Sequence, residues 1–138
     1  MNNVFIVLLL FASFIMKGQN IRGKSFVAQT AVSCIELLDD GGCSIYQYCY
    51  LQFEKEYVDV FFKSVWYCSP KEKESAYNNS NPKVHRYKWK KKRKTIIIKD
   101  FNDYGSLKIE EGKLVGTKER NYKEFVPIEF KEEPCQKK

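Results

Sequence analysis

Two aromatic and β-branched runs, separated by a short charged break, constrain this chain more than any other feature. Ser44–Phe53 reads Ser-Ile-Tyr-Gln-Tyr-Cys-Tyr-Leu-Gln-Phe, and Tyr57–Cys68 reads Tyr-Val-Asp-Val-Phe-Phe-Lys-Ser-Val-Trp-Tyr-Cys. Residues of these types favour a pleated, half-buried surface, so the pair reads as a long β-hairpin. If Lys55 and Glu56 form a two-residue loop, Glu54 faces Tyr57 and the numbers of opposed residues sum to 111. Cys43 then faces Cys68. Opposed residues of an antiparallel pair bring their Cβ atoms to about 4.5–5.5 Å, close to the reach of a disulfide. Lys-Glu is not a favoured type I′ turn, and a longer loop would shift the register by one.

Alternation divides each strand into two faces. Ile45, Gln47, Cys49, Leu51 and Phe53 share one, and Tyr46, Tyr48 and Tyr50 the other. In the second run Val58, Val60, Phe62, Ser64, Trp66 and Cys68 alternate with Tyr57, Asp59, Phe61, Lys63, Val65 and Tyr67. The first set of each is the expected core face. The tyrosines, whose hydroxyls need partners, are expected on a wetter face.

The chain opens with Met1-Asn2-Asn3 and an apolar run from Val4 to Met16, then Lys17-Gly18. A run of that length fits the apolar region of a signal peptide better than a bilayer span. Residues 1–18 are therefore expected to be removed, with cleavage near Gly18; an uncleaved anchor and a buried first strand are the competing readings. No Cys follows the apolar run to take a lipid. Residues 19–138 form one domain, expected to be secreted or periplasmic. They keep a formal charge of +6, against +7 for the whole chain, because Lys17 is lost. A positive balance of this size favours weak association with anionic surfaces or polysaccharide.

In an exported chain, five cysteines (Cys34, Cys43, Cys49, Cys68 and Cys135) read as a disulfide framework with one thiol left over. Their spacing matches no zinc-ligand pair, and His85 is the one histidine. No metal or cofactor is expected.

The rest of the chain reads as further strands. Ile21–Ser33 alternates Phe26, Ala28, Thr30 and Val32 against Val27, Gln29, Ala31 and Ser33, and Cys34–Gly42 reads as a loop around Asp39-Asp40-Gly41-Gly42. Ser69-Pro70-Lys71-Glu72 resembles a helix start, so a short helix is expected near residues 70–77. Asn78-Asn79-Ser80 is a glycosylation sequon if the chain passes through a eukaryotic secretory route. Lys83–Lys90 alternates His85, Tyr87 and Trp89 against Val84, Arg86, Lys88 and Lys90, Lys91–Lys94 reads as a turn, and Thr95–Lys99 as a strand. Leu107 and Ile109, then Leu114 and Val115, mark two more strands around the turn at Glu111-Gly112, and Tyr122–Lys131 closes the set. Pro127 places that last strand at an edge or a bulge. About eight strands on short turns predict an all-β chain, an up-and-down antiparallel barrel or a bent sheet, with a single short helix.

Two stretches stand out for function. Lys91, Lys92, Arg93 and Lys94 form a polyanion-surface candidate, with a solvated hairpin tip that discourages edge pairing as the plain alternative. Phe62, Trp66, His85, Tyr87 and Trp89 would line a cavity if the barrel is hollow, or simply fill it. Carboxylate pairs such as Glu110-Glu111 sit in turns, and no Ser/His/Asp order or Gly-rich phosphate loop appears, so the chain reads as non-enzymatic. Nothing points to a specific nucleic acid. Membrane contact is expected only through the signal peptide or weak electrostatics.

Gly23-Lys24-Ser25-Phe26, on the first strand after the signal peptide, resembles the Gly-x-Trp opening of lipocalins, with Phe one place late and no Trp. Asn102-Asp103-Tyr104 is similar to that family's Thr-Asp-Tyr element, and Arg120 stands in the region of its late Arg. The resemblance covers a few residues and implies a lipocalin-like or broader calycin-like barrel that binds a small apolar molecule.

Overall fold

A computed structural model describes residues 19–37, 41–69, 71, 74, 78 and 81–134. Eight antiparallel strands follow one another around a closed barrel: β1 (Ser25–Leu37), β2 (Gly41–Phe53), β3 (Tyr57–Ser69), β4 (Val84–Lys92), β5 (Thr95–Ile98), β6 (Leu107–Glu110), β7 (Lys113–Arg120) and β8 (Glu124–Glu133). The up-and-down barrel is the expected fold class. The expected signal peptide, residues 1–18, lies outside the described residues, as does most of the helix expected at residues 70–77.

The β2–β3 hairpin has the register its sequence predicts. Phe53 pairs with Val58 and Cys43 with Cys68, and the two cysteines are bonded, with their Cα atoms 4.1 Å apart. Glu54 N–H donates to Tyr57 C=O at 2.8 Å, which closes a two-residue loop despite its Lys-Glu sequence. The inward row then delivers Cys49, Leu51, Phe53, Val58 and Val60 to the core, where Phe26, Ile96, Leu107, Leu114 and Phe130 meet them. Phe26 and Phe53 pack edge to face at 5.9 Å.

Three expectations need correction. β1 continues through Cys34, Ile35, Glu36 and Leu37, which the sequence assigns to a loop, because β2 is long enough to pair with them. The rest of that loop before β2, residues 38–40, lies outside the described residues. A bulge between Gln29 and Ala31 also swaps the faces of β1. Phe26 and Ala28 point inward below it; Ala31, Ser33 and Ile35 share the inward row of β2 above it, while Val32 turns outward. Lys91 and Lys92, expected in a turn, extend β4, and the turn is Arg93-Lys94 with Arg93 at φ 57°.

The barrel closes over only part of the long strands. β1 pairs with β8 at Ser25–Val27 alone, and β3 with β4 at Tyr57–Phe61 alone. The upper parts of β1, β2 and β3 therefore project past the barrel as a three-stranded extension, with the Cys43–Cys68 bond at its far end.

Candidate functional site

The two rows of β4 have different neighbours. Tyr87, opposite Val58, packs against Phe101 at 5.4 Å. Trp89, opposite Ile98, meets Phe53 edge to face at 5.2 Å and donates its indole N–H to Glu54 C=O at 3.1 Å. Both are half-buried against the core. The intervening row, Arg86, Lys88, Lys90 and Lys92, must then point outward.

That outward row is basic without interruption. From Lys83 to Lys99 inclusive the sequence places nine Lys or Arg residues and no carboxylate. Arg86 is neutralised locally, bidentate on Asp59 at 2.7 and 2.8 Å and reaching Glu54 at 3.2 Å. Its guanidinium holds the Asp59 carboxyl below the usual range. Lys88, Lys90, Lys92 and Lys99 have no carboxylate at ion-pair distance among the described residues.

Pairing gathers these lysines around one aliphatic side chain. Lys90 lies opposite Ile97, Lys92 opposite Thr95, and Lys99 N–H donates to Lys88 C=O at 2.8 Å. Lys88, Lys90, Ile97 and Lys99, with the edge of Trp89, line a shallow groove of about 220 Å³. Alternate residues of a strand stand roughly 6.6 Å apart, so Lys88, Lys90 and Lys92 form a cationic ladder. Lys88 and Lys90 also line a recess of about 680 Å³ at the barrel's end, with Arg22, Lys55, Lys91 and Glu56. A continuous cationic strip thus runs from the barrel end onto the outer face of β4 and β5.

The four residues of the expected polyanion run do not act as one cluster. Lys91 belongs to the inward row, opposite Ile96, and donates to Gln19 C=O at 3.0 Å, so it helps close the barrel end. Lys92 lies on the outward row, and Arg93 and Lys94 form the exposed turn. Lys88, Lys90 and Lys99 escape a reading by charge density; the alternation of Lys88 and Lys90 against Trp89 is the signal that finds the first two.

The five cavity-lining candidates are not brought together. Tyr87 and Trp89 pack on the core, and His85, stacked near Tyr87 at 6.4 Å, is exposed. Phe62 and Trp66 stand on the extension, where Phe62 is 44% exposed. The groove and the recess that Trp89 lines both open to solvent.

Among the cysteines, Cys43 and Cys68 are bonded, Cys34 is a free exposed thiol and Cys49 a free buried one, while Cys135 lies outside the described residues. Burial pushes the Cys49 thiol up to about 12, so it stays protonated and unreactive at ordinary pH. Among the residues that carry the lipocalin resemblance, Phe26 and Tyr104 are buried in the core, whereas Arg120 is exposed on β7 and does not support it.

A closed barrel of eight antiparallel strands in up-and-down order is consistent with a calycin-like fold. No protein-family model matches the chain, and no curated protein or solved structure does either.

Proposed function

We propose that the protein is an exported, non-enzymatic β-barrel that binds anionic polysaccharide through the outer face of β4 and β5. One observation carries this reading: Lys88, Lys90 and Lys99 line a groove with Ile97, Lys92 continues their row opposite Thr95, and none of the four has a carboxylate at ion-pair distance among the described residues. A ladder of like charges on rigid strands repels itself, and a polymer bearing sulfates or carboxylates relieves that repulsion. The Cys43–Cys68 bond is compatible with an oxidising compartment, which supports export.

An interior site for a small apolar molecule, the property of a lipocalin-like barrel, finds less support. Phe26, Leu51, Phe53, Leu107 and Phe130 occupy the interior with almost no exposure. A ligand there would have to displace them.

Retention on immobilised heparin tests the reading. The wild-type chain should elute only at raised salt, and replacing Lys88, Lys90, Lys92 and Lys99 together by Gln should bring it to the void. Unchanged elution of that variant would refute the proposal. A small molecule retained in native mass spectra of the purified protein would instead favour the interior site.

A further inference from the structure

The extension has two lateral edges, and the fold treats them differently. Backbone alternation identifies which groups face outward on each. Glu54 and Tyr57 form a hydrogen-bonded pair, so Cys43 and Cys68, an odd number of steps along, form a non-hydrogen-bonded pair, in keeping with their 4.1 Å Cα separation. The backbone groups of Cys43 therefore bond to β1 at Ile35, and those of Trp66 and Cys68 point away from β2. On β1, the same alternation points the N–H and C=O groups of Val32, Cys34 and Glu36 away from β2.

The outer edge of β3 is closed. The Asn78 side chain accepts from Trp66 N–H at 2.8 Å and donates to Trp66 C=O at 3.0 Å, and Glu74 accepts from Cys68 N–H at 2.9 Å. These two side chains stand in for a ninth strand. On β1, Lys118 Nζ donates to the C=O of Thr30, the unpaired residue of the bulge. Beyond it, among the described residues, no side chain or strand covers Val32, Cys34 and Glu36, all of which are exposed. Of the devices that usually prevent strand addition, this edge carries one charge, Glu36 at its upper end, and a bulge lies below it at Gln29/Ala31. From Ala31 to Ile35 there is no charge, no proline and no bulge, and Val32 and Ile35 are 51% and 43% exposed.

We infer that the uncovered β1 edge at Val32–Glu36 is a self-association surface, pairing antiparallel with the same edge of a second copy. A two-fold axis through an antiparallel pair lets one strand serve as both halves of the interface. Centred on Cys34, the pairing sets Val32 opposite Glu36 of the second copy and Ser33 opposite its Ile35. The two Glu36 carboxylates then lie four residues apart, about 13 Å, so no like charges meet. The apolar side chains left exposed on the outer strand gain cross-strand neighbours. An extended segment of an unrelated protein would meet the same backbone groups but would bring no matching two-fold.

Sedimentation of the mature chain at high micromolar concentration tests the inference, with a short bis-maleimide reporting on Cys34. A dimer is expected, cross-linked in wild type and in Cys135→Ser but not in Cys34→Ser. Val32→Pro removes an outward N–H without touching the β1–β2 ladder, so it should sediment as a monomer with an unchanged near-ultraviolet dichroism spectrum. Val32→Lys keeps that N–H and should also shift the equilibrium to monomer, which covers the case where the proline variant does not fold. A wild-type chain that sediments as a monomer would overturn the inference. So would a dimer that survives Val32→Lys and cross-links through Cys135.

Discussion

The barrel body and the extension are built from the same three long strands, yet they are held by different means. In the body, β1 and β3 have a strand on each side, and the inward residues Phe26, Leu51, Val58 and Val60 are almost wholly buried. In the extension the same strands lose their outer neighbours, and apolar residues such as Phe62 and Tyr67 stay 44% and 58% exposed. There a disulfide and the side chains of Asn78 and Glu74 replace strand pairing. Closure protects the body, and in the extension local staples protect the β3 edge but not the β1 edge.

Core truncation should expose that difference most strongly. Phe53→Ala removes a ring packed on both Phe26 and Trp89, and should lower global stability by about 3–5 kcal/mol in urea unfolding. Phe62→Ala, on the extension, should cost far less. An equal loss at both positions would erase the distinction drawn between the regions.

Cleaving the staple comes next. Cys43→Ser with Cys68→Ser should lower stability by about 2–4 kcal/mol. Hydrogen exchange should rise first at Ile45 and Trp66, while Leu51 and Val60 keep their protection. Loosening of the body at the same rate would mean that the two regions unfold as one.

Gly116 tests the body from its other wall. A Cβ there would stand 2.7 Å from Tyr104 C=O and 2.8 Å from Leu107 Cδ2, so Gly116→Ala should destabilise by roughly 1–3 kcal/mol. Asn78→Ala, by contrast, uncovers one residue of the β3 edge at a cost of roughly 1–2 kcal/mol. It should also promote association through that edge, measurable by light scattering. Unchanged scattering from Asn78→Ala would count against the edge-capping role.

At neutral pH the smallest effect is a pH dependence confined to the body, which develops only in alkali. Cys49 is raised from its ordinary value of 9.0 to about 12, chiefly by burial, and the neighbouring Tyr104 hydroxyl is raised too, again mainly by burial. Above pH 9 the unfolded thiol releases its proton while the folded one retains it, so the folded state binds more protons and stability falls as pH rises toward 12. Cys49→Ala should flatten that alkaline loss. Thiol labelling of the native protein near pH 8 should reach exposed Cys34 and spare Cys49.

The body was largely legible in the sequence because its residues alternate strictly, and alternation fixes both face and register. The two-residue loop at Lys55-Glu56 propagates unchanged to Cys43–Cys68, so a disulfide follows from counting. The bulge at Gln29/Ala31 broke that reasoning on β1, since an unpaired residue leaves no mark in a string of Ala, Thr and Val. The strand character of Cys34–Leu37 was also hidden, because it depends on β2 as partner rather than on local propensity. Asn78 read as a sequon; its bonds to Trp66 join residues 12 apart and carry no periodic signal. For the site, the basic run Lys91–Lys94 drew attention by density alone. Alternation against Trp89 marks Lys88 and Lys90 as one row, but the approach of Lys99 and Ile97 to that row follows only from the β4–β5 pairing.

On the proposed function, anions bind the outer wall of the body, at β4 and β5, and neither the interior nor the extension takes part. Titrating the isotope-labelled protein with a sulfated oligosaccharide and following backbone amide shifts tests it directly. Saturable shifts are expected to centre on Lys88, Lys90, Lys92, Ile97 and Lys99, with Leu51, Phe130, Val32 and Trp66 unmoved. Shifts confined to the core residues or to the extension, with the β4–β5 wall silent, would contradict it.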